Sequence, residues 1–166
     1  EVHRTERPCF LYVGSGKPHK NVLRLLEAFT ISGLDADYDL LLAGMPPDMW
    51  TGTIAARGLS TSIHQLGMVP DADLPALYRG AYAFVFPSLY EGFGLPPLEA
   101  MACGIPVIVS GATSLPEVVG DAGILVDPLD VESIADGMSR MAGDSELHAS
   151  LAEKGVVHSR KFSWEK

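Results

Sequence analysis

Apolar positions gather in six short runs: Phe10–Gly14, Tyr38–Gly44, Ile63–Val69, Ala83–Ser88, Pro106–Ser110 and Gly123–Asp127. The best of them are apolar almost without interruption, as strands covered on both faces are. Between several of them the period changes to that of a helix. Val22, Leu25, Leu26 and Phe29 recur at i, i+3, i+4, i+7, with Asn21 at the place of an N-cap. Leu74, Leu77, Tyr78 and Ala81 repeat the pattern. Pro96 and Pro97 suit the first turn of a further helix, and Gly104 suits the residue after its end. Ile134, Met138 and Met141 mark another, Leu147 and Leu151 one more. The connection Pro46–Gly58 has room for a helix without a clear period.

Strands alternating with helices across short connections predict an α/β fold: a doubly wound, Rossmann-like, mostly parallel six-stranded sheet in one domain over residues 1–166. The common order for six strands is 3-2-1-4-5-6. Its switch point falls between the first and fourth strands, and ligands of such sheets bind beyond the carboxyl ends there. The loops after Gly14 and after Ser88 are therefore expected to build the site before any motif is considered.

Composition narrows the class. The 166 residues are 47% hydrophobic and 20% charged, and no apolar run is long enough to span a membrane. The net charge of −9 disfavours a nucleic-acid partner bound through a broad basic surface. The basic residues lie mostly near the two ends, and the group Lys17–Arg24 could hold a small anion or simply be a solvated helix start. Cys9 and Cys103 are far apart and form no C-x-x-C pair, which suits a reducing, cytoplasmic compartment. The histidines show no metal-ligand spacing and read mostly as surface residues; no metal site is expected. The chain does not begin with Met and enters a strand almost at once, which reads as a piece of something longer.

The first loop runs Val13-Gly14-Ser15-Gly16-Lys17-Pro18-His19-Lys20-Asn21. His19 stands where a dinucleotide fingerprint needs its third glycine, and Leu11 and Pro18 exclude a P-loop. What remains is a glycine-bearing turn that delivers Lys20 to a helix start, where unpaired amides would welcome a diphosphate. Taken alone, this loop reads as a tight turn with exposed lysines rather than as a phosphate site. The second loop, Phe86 to Gly104, shifts the balance. Gly92 and Gly94 allow the backbone unusual dihedrals and close approach to a ligand. The amides of Phe93, Gly94, Leu95 and Leu98 supply donors around Pro96 and Pro97, which have none. Glu91 before the turn and Glu99 on the helix can each accept two sugar hydroxyls.

Glu91 and Glu99 form an E-x7-E pair inside a glycine–proline loop, and this resembles the donor-binding domain of retaining glycosyltransferases of family four, also called group one. The resemblance covers nearly the whole chain. It takes in Gly14…Lys20-Asn21, Gly67-Met68-Val69-Pro70, Pro87-Ser88…Gly104, Leu115-Pro116-Glu117-Val118, Gly123-Ile124-Leu125-Val126-Asp127-Pro128 and Phe162-Ser163-Trp164. It implies one half of a GT-B enzyme, with an N-terminal acceptor domain absent from this chain, and inactivity of this half alone. It implies that Lys20 neutralises the diphosphate, that Glu91 binds sugar hydroxyls and that Glu99 binds the ribose. Gly14, Ser15, Lys17, Gly92, Phe93, Gly94, Leu95 and Leu98 would complete the donor site, with Met68 and Val69 against the base. Ser15 stands where the family usually has an arginine, which leaves Lys17, or the Ser15 hydroxyl with the loop amides, to take that role.

The implied reaction is retaining transfer from a nucleotide-diphosphate sugar to a glycan or lipid-linked acceptor, without a metal or other cofactor. GDP-mannose is favoured as donor from the run Lys17-Pro18-His19-Lys20-Asn21, with a UDP-hexose next. Membrane association, if any, would be peripheral, at the inner face and not through this domain. The alternatives are a nucleotide-sugar-binding module without transferase activity and a related GT-B enzyme such as a sugar-nucleotide epimerase. A pyridoxal-dependent phosphorylase and a dinucleotide oxidoreductase fit less well. The first lacks its lysine region, and the second lacks an acid at Ala43-Gly44-Met45.

Overall fold

The computed structural model describes residues 5–162; Ser163 and Trp164, at the end of the resemblance, lie outside the described residues. Six strands, β1 (Cys9–Val13), β2 (Asp39–Ala43), β3 (Ile63–Gly67), β4 (Ala83–Phe86), β5 (Val107–Ser110) and β6 (Gly123–Val126), form one sheet in the order β3-β2-β1-β4-β5-β6. Every neighbouring pair is parallel. The expected order and switch point are both found.

The interior strands β2, β4 and β5 are buried along their whole length, and β1 is buried from Cys9 to Tyr12. That is why their sequences show no in–out alternation: both faces of each strand meet side chains rather than water. Phe10, Leu11, Tyr12, Leu40, Leu42, Phe84 and Phe86 are fully buried. Each such side chain contributes roughly 1.5–3 kcal/mol on leaving water.

Among the described residues, seven α-helices connect and cover the strands: α1 (Val22–Ser32), α2 (Thr51–Ala56), α3 (Leu74–Gly80), α4 (Leu95–Ala102), α5 (Leu115–Val119), α6 (Val131–Gly143) and α7 (Ser145–Ser159). The unassigned Pro46–Gly58 connection thus holds the short α2. The five-residue α5, with no helix expected there, is too short to display a period. After β6 the chain returns: α6 packs on α1, and α7 packs on α4, so the last two helices reach both groups of helices. Gly137 permits the fit of α6, since a Cβ there would come within 2.7 Å of Val126 Cγ1. Asp130 and Asp144 cap α6 and α7, each accepting a backbone N–H at 2.9 Å, a bond that stabilises a helix by about 1 kcal/mol.

Asn21 departs from expectation. It occupies the N-cap position of α1 but its side chain caps no backbone N–H of the helix, and its backbone is left-handed at φ 65°. The histidines depart too. His148 Nε2 lies 2.8 Å from the Tyr82 carbonyl and His158 Nε2 2.9 Å from that of Val118, both half-buried. These two imidazoles tie α7 to the start of β4 and to α5.

Candidate functional site

The crevice at the switch point opens because β1 and β4 pair over two residues only, Phe10 with Ala83 and Leu11 with Phe84. By contrast, β1 and β2 pair over five. Beyond Leu11 the two central strands carry on unpaired with each other into the two loops.

The first loop is fixed by backbone to the end of β2, which is itself fixed to the end of β3. Gly14 N–H donates to the Ala43 carbonyl at 2.9 Å, and Gly44 N–H to that of Gly67 at 2.9 Å. Gly44 has φ 90°, and a Cβ on it would lie 2.9 Å from the Gly14 carbonyl oxygen. A side chain there is excluded by both dihedral and space. The Tyr12 hydroxyl donates to the Ser15 carbonyl at 3.0 Å from below. Burial, and then the charge of Glu91, push ionisation of Tyr12 well above the ordinary range, so it stays a donor at neutral pH. The chain then makes a 3₁₀ turn over Pro18–Lys20, with Lys20 N–H on the Lys17 carbonyl at 2.9 Å. This turn folds Lys20 back toward the crevice while Lys17 stays exposed.

Across the crevice Lys20 Nζ meets Glu91 Oε1 at 2.6 Å, with side chains 17% and 11% exposed, so the pair is largely shielded from water. The ammonium also sits 5.2 Å from the ring centroid of Phe86. The second loop is hung from the loop before α5. Glu91 N–H donates to Thr113 Oγ1 at 3.2 Å, and Ser114 Oγ–H is shared between the carbonyls of Glu91, at 3.1 Å, and Phe93, at 3.2 Å. Of the two glycines expected in unusual conformations, Gly94 is left-handed at φ 96° and begins α4, whereas Gly92 has no positive φ. Among the described residues, the amides of Phe93, Gly94 and Leu95 meet no acceptor.

Glu99 stands on α4, exposed, with Oε2 accepting from the Tyr78 hydroxyl at 3.0 Å. Burial and the Glu99 charge keep Tyr78 protonated far beyond neutral pH. The two glutamates are therefore held by different partners, Lys20 and Tyr78. Leu98 is half-buried beside Glu99, while Phe93 and Leu95 are exposed at the lip. Met68, 77% exposed, and Val69 follow β3, two strands away from β1. The parts played by Tyr12, Gly44, Tyr78, Thr113 and Ser114, and the true use of Asn21, were not expected from the sequence. Gly44, at the end of an apolar run, is the one of these with a local signal.

Among the described residues, no three His, Cys, Asp or Glu side chains gather as metal ligands would. No described helix is long and apolar enough to cross a membrane. Cys9 and Cys103 are free thiols, their ionisation pushed up by burial.

Solved structures give the class. The chain superposes on sucrose-phosphate synthase from Thermosynechococcus elongatus with a TM-score of 0.84 at 30% identity, over 96% of this chain and 42% of that one. It also superposes on the C-terminal domain of a glycosyl transferase group 1 family protein from Francisella tularensis. There the TM-score is 0.81 at 26% identity, over 96% of this chain and 94% of that one. The fold is that of a Rossmann-like glycosyltransferase domain.

The chain belongs to the glycosyl transferases group 1 family, whose model matches residues 1–157. It is 44% identical over 160 residues to O-antigen chain mannosyltransferase B of Escherichia coli, across 93% of this chain and 42% of that protein. The chain thus spans less than half the length of this curated relative.

Proposed function

We propose that this chain is the donor-binding half of a retaining glycosyltransferase that moves mannose from GDP-mannose to a glycan or lipid-linked acceptor. The observation that carries the reading is the shielded contact of Lys20 with Glu91 across the switch point, at 2.6 Å. An ammonium has three N–H donors and a carboxylate two acceptor oxygens. Lys20 can keep one bond to Glu91 and turn the others to a diphosphate, while the second oxygen of Glu91 takes a sugar hydroxyl. The amides of Phe93, Gly94 and Leu95, at the start of α4, add donors for the same phosphates.

As the bond from sugar to diphosphate breaks, negative charge grows on the leaving group. Lys20 and these amides stabilise it, in a crevice where such contacts outweigh their value in water. Glu91 holds the sugar as it gains oxocarbenium character, and the acceptor enters on the face the diphosphate leaves. Glu99, steadied by Tyr78, holds the ribose hydroxyls, and the backbone near Met68 and Val69 lies along the base. Ser15 brings no charge to the first loop, so Lys17, Lys20 and the amides carry the phosphate. No metal is needed for this charge balance. The acceptor is bound by an N-terminal domain of the complete enzyme, which works in the cytoplasm and reaches any membrane peripherally. The mannose assignment follows the E. coli relative named a mannosyltransferase.

Steady-state kinetics of the full-length protein with GDP-mannose test the roles. Glu99→Ala is expected to raise the donor KM about tenfold with kcat little changed. Glu91→Gln is expected to lower kcat at least a hundredfold with KM little changed. Wild-type kinetics in both variants would refute the site. A higher kcat/KM for UDP-glucose than for GDP-mannose would replace the donor, and donor binding without transfer would make the protein a binding module.

A further inference from the structure

Asn21 is 4% exposed and belongs to neither half of the ion pair, yet its side chain reaches two other loops. Its amide nitrogen donates to the Pro87 carbonyl at 2.8 Å and to the Pro128 carbonyl at 2.7 Å. Pro87 follows β4 and Pro128 follows β6, so one side chain ties together the loops beyond β1, β4 and β6. Its oxygen accepts from Arg24 Nη1 at 3.0 Å, which fixes the amide the right way round. Both N–H donors and the acceptor are thus used in a buried place where an unpaired polar group would cost about 1–3 kcal/mol. The left-handed backbone at Asn21 is one that asparagine tolerates better than most residues.

We propose that Asn21 is a positioning residue for donor binding: it sets the separation of the two loops so that Lys20 and Glu91 meet at one point of the crevice. Lys20 precedes it directly, and Pro87 lies four residues before Glu91. A backbone bond from Leu89 N–H to the His19 carbonyl, at 2.8 Å, closes the same frame on the other side of Lys20. Two long side chains could form an ion pair over a wide range of loop separations. The frame of His19–Leu89 and Asn21–Pro87 leaves one. The bond to Pro128 extends it to the start of α6, which packs on α1. This inference rests on the donor-site reading above.

Asn21→Asp discriminates the roles. Aspartate has the same size, tolerates the same backbone, suits a helix start and attracts Arg24. A role in capping α1 therefore predicts a neutral or stabilised protein. As a positioning residue it instead loses both donors and faces two carbonyl oxygens with a carboxylate. The 166-residue chain can be used, because the Francisella tularensis domain it matches over 94% of its length is a solved structure of a C-terminal domain alone. At pH 7.5 the Kd for GDP, by calorimetry, is expected to rise at least tenfold in Asn21→Asp. It is expected to do the same in Asn21→Gly, which keeps the backbone and loses both bonds. Hydrogen exchange of the Leu89 amide is expected to accelerate at least tenfold.

If the wild-type chain binds GDP and both variants bind it within twofold, with Leu89 exchange unchanged, the inference is overturned. If the wild type binds no GDP, the donor-site reading fails, and Leu89 exchange decides the frame alone. If the variants do not fold, the wild-type side-chain NH2 protons of Asn21 decide it. Slow exchange supports the frame, and exchange at the rate of an exposed amide overturns it.

Discussion

The two loops that face each other across the switch point are built by opposite means. The first, from Gly14 to Lys20, is pressed against the end of β2 by backbone packing so close that Gly44 has no space for a Cβ. The second, from Ser88 to Gly94, hangs on hydroxyl groups of Thr113 and Ser114, outside its own segment. The first loop depends on the absence of a side chain at Gly44, with one hydroxyl bond from Tyr12 beneath it, and the second depends on two hydroxyl side chains. Added volume should therefore ruin the first, and removed oxygen should loosen the second.

Gly44→Ala gives the largest expected effect. It combines a dihedral that alanine disfavours by about 1–2 kcal/mol with a backbone clash costing a similar amount. A loss of about 3 kcal/mol in urea unfolding, with GDP binding abolished, would confirm that the first loop is a packed device. A loss under 1 kcal/mol would show that β2 and the loop can separate.

Ser114→Ala tests the other side. It removes one shared hydroxyl bond, worth about 1 kcal/mol. Stability should fall by that amount, and GDP affinity should drop several-fold because Glu91 and Phe93 lose their common anchor. An affinity loss as large as that of Gly44→Ala would erase the contrast between the loops.

The remaining effect appears only in alkali. Burial raises the ionisation of Tyr12 and Tyr78, and burial beside Tyr38 raises that of Tyr82 to about 12, from an ordinary 10.0. In the unfolded chain these phenols lose protons near pH 10, while the folded chain keeps them. Raised folded values mean that the stability contribution is whole below pH 10 and is lost as pH climbs above it. Unfolding midpoints should stay level for these groups up to about pH 9 and then decline. A midpoint that rises above pH 10 would contradict the buried, hydrogen-bonded placement of Tyr12 and Tyr78.

The fold was legible because its rule is local. Runs such as Phe84–Phe86 and Val107–Val109 are apolar on both faces, and a chain that alternates such runs with helices has few topologies open to it. The switch point followed from the strand order, and it brought Lys20 and Glu91 together across 71 positions of sequence. The supports were not legible. Tyr78 matches the apolar period of α3, yet its hydroxyl holds Glu99. Asn21 reads as a helix cap, yet it bonds to carbonyls 66 and 107 positions away. Such bonds depend on three-dimensional neighbours, and a single sequence carries no period or spacing that announces them.

The short ladder between β1 and β4 has a mechanical consequence. Two paired residues join the half-sheets β3-β2-β1 and β4-β5-β6, where other neighbouring strands share three to five. This seam has the fewest paired residues in the sheet, and the crevice lies at its end. A molecule gripped by both lips would add contacts across the seam where the strands themselves share only two pairs.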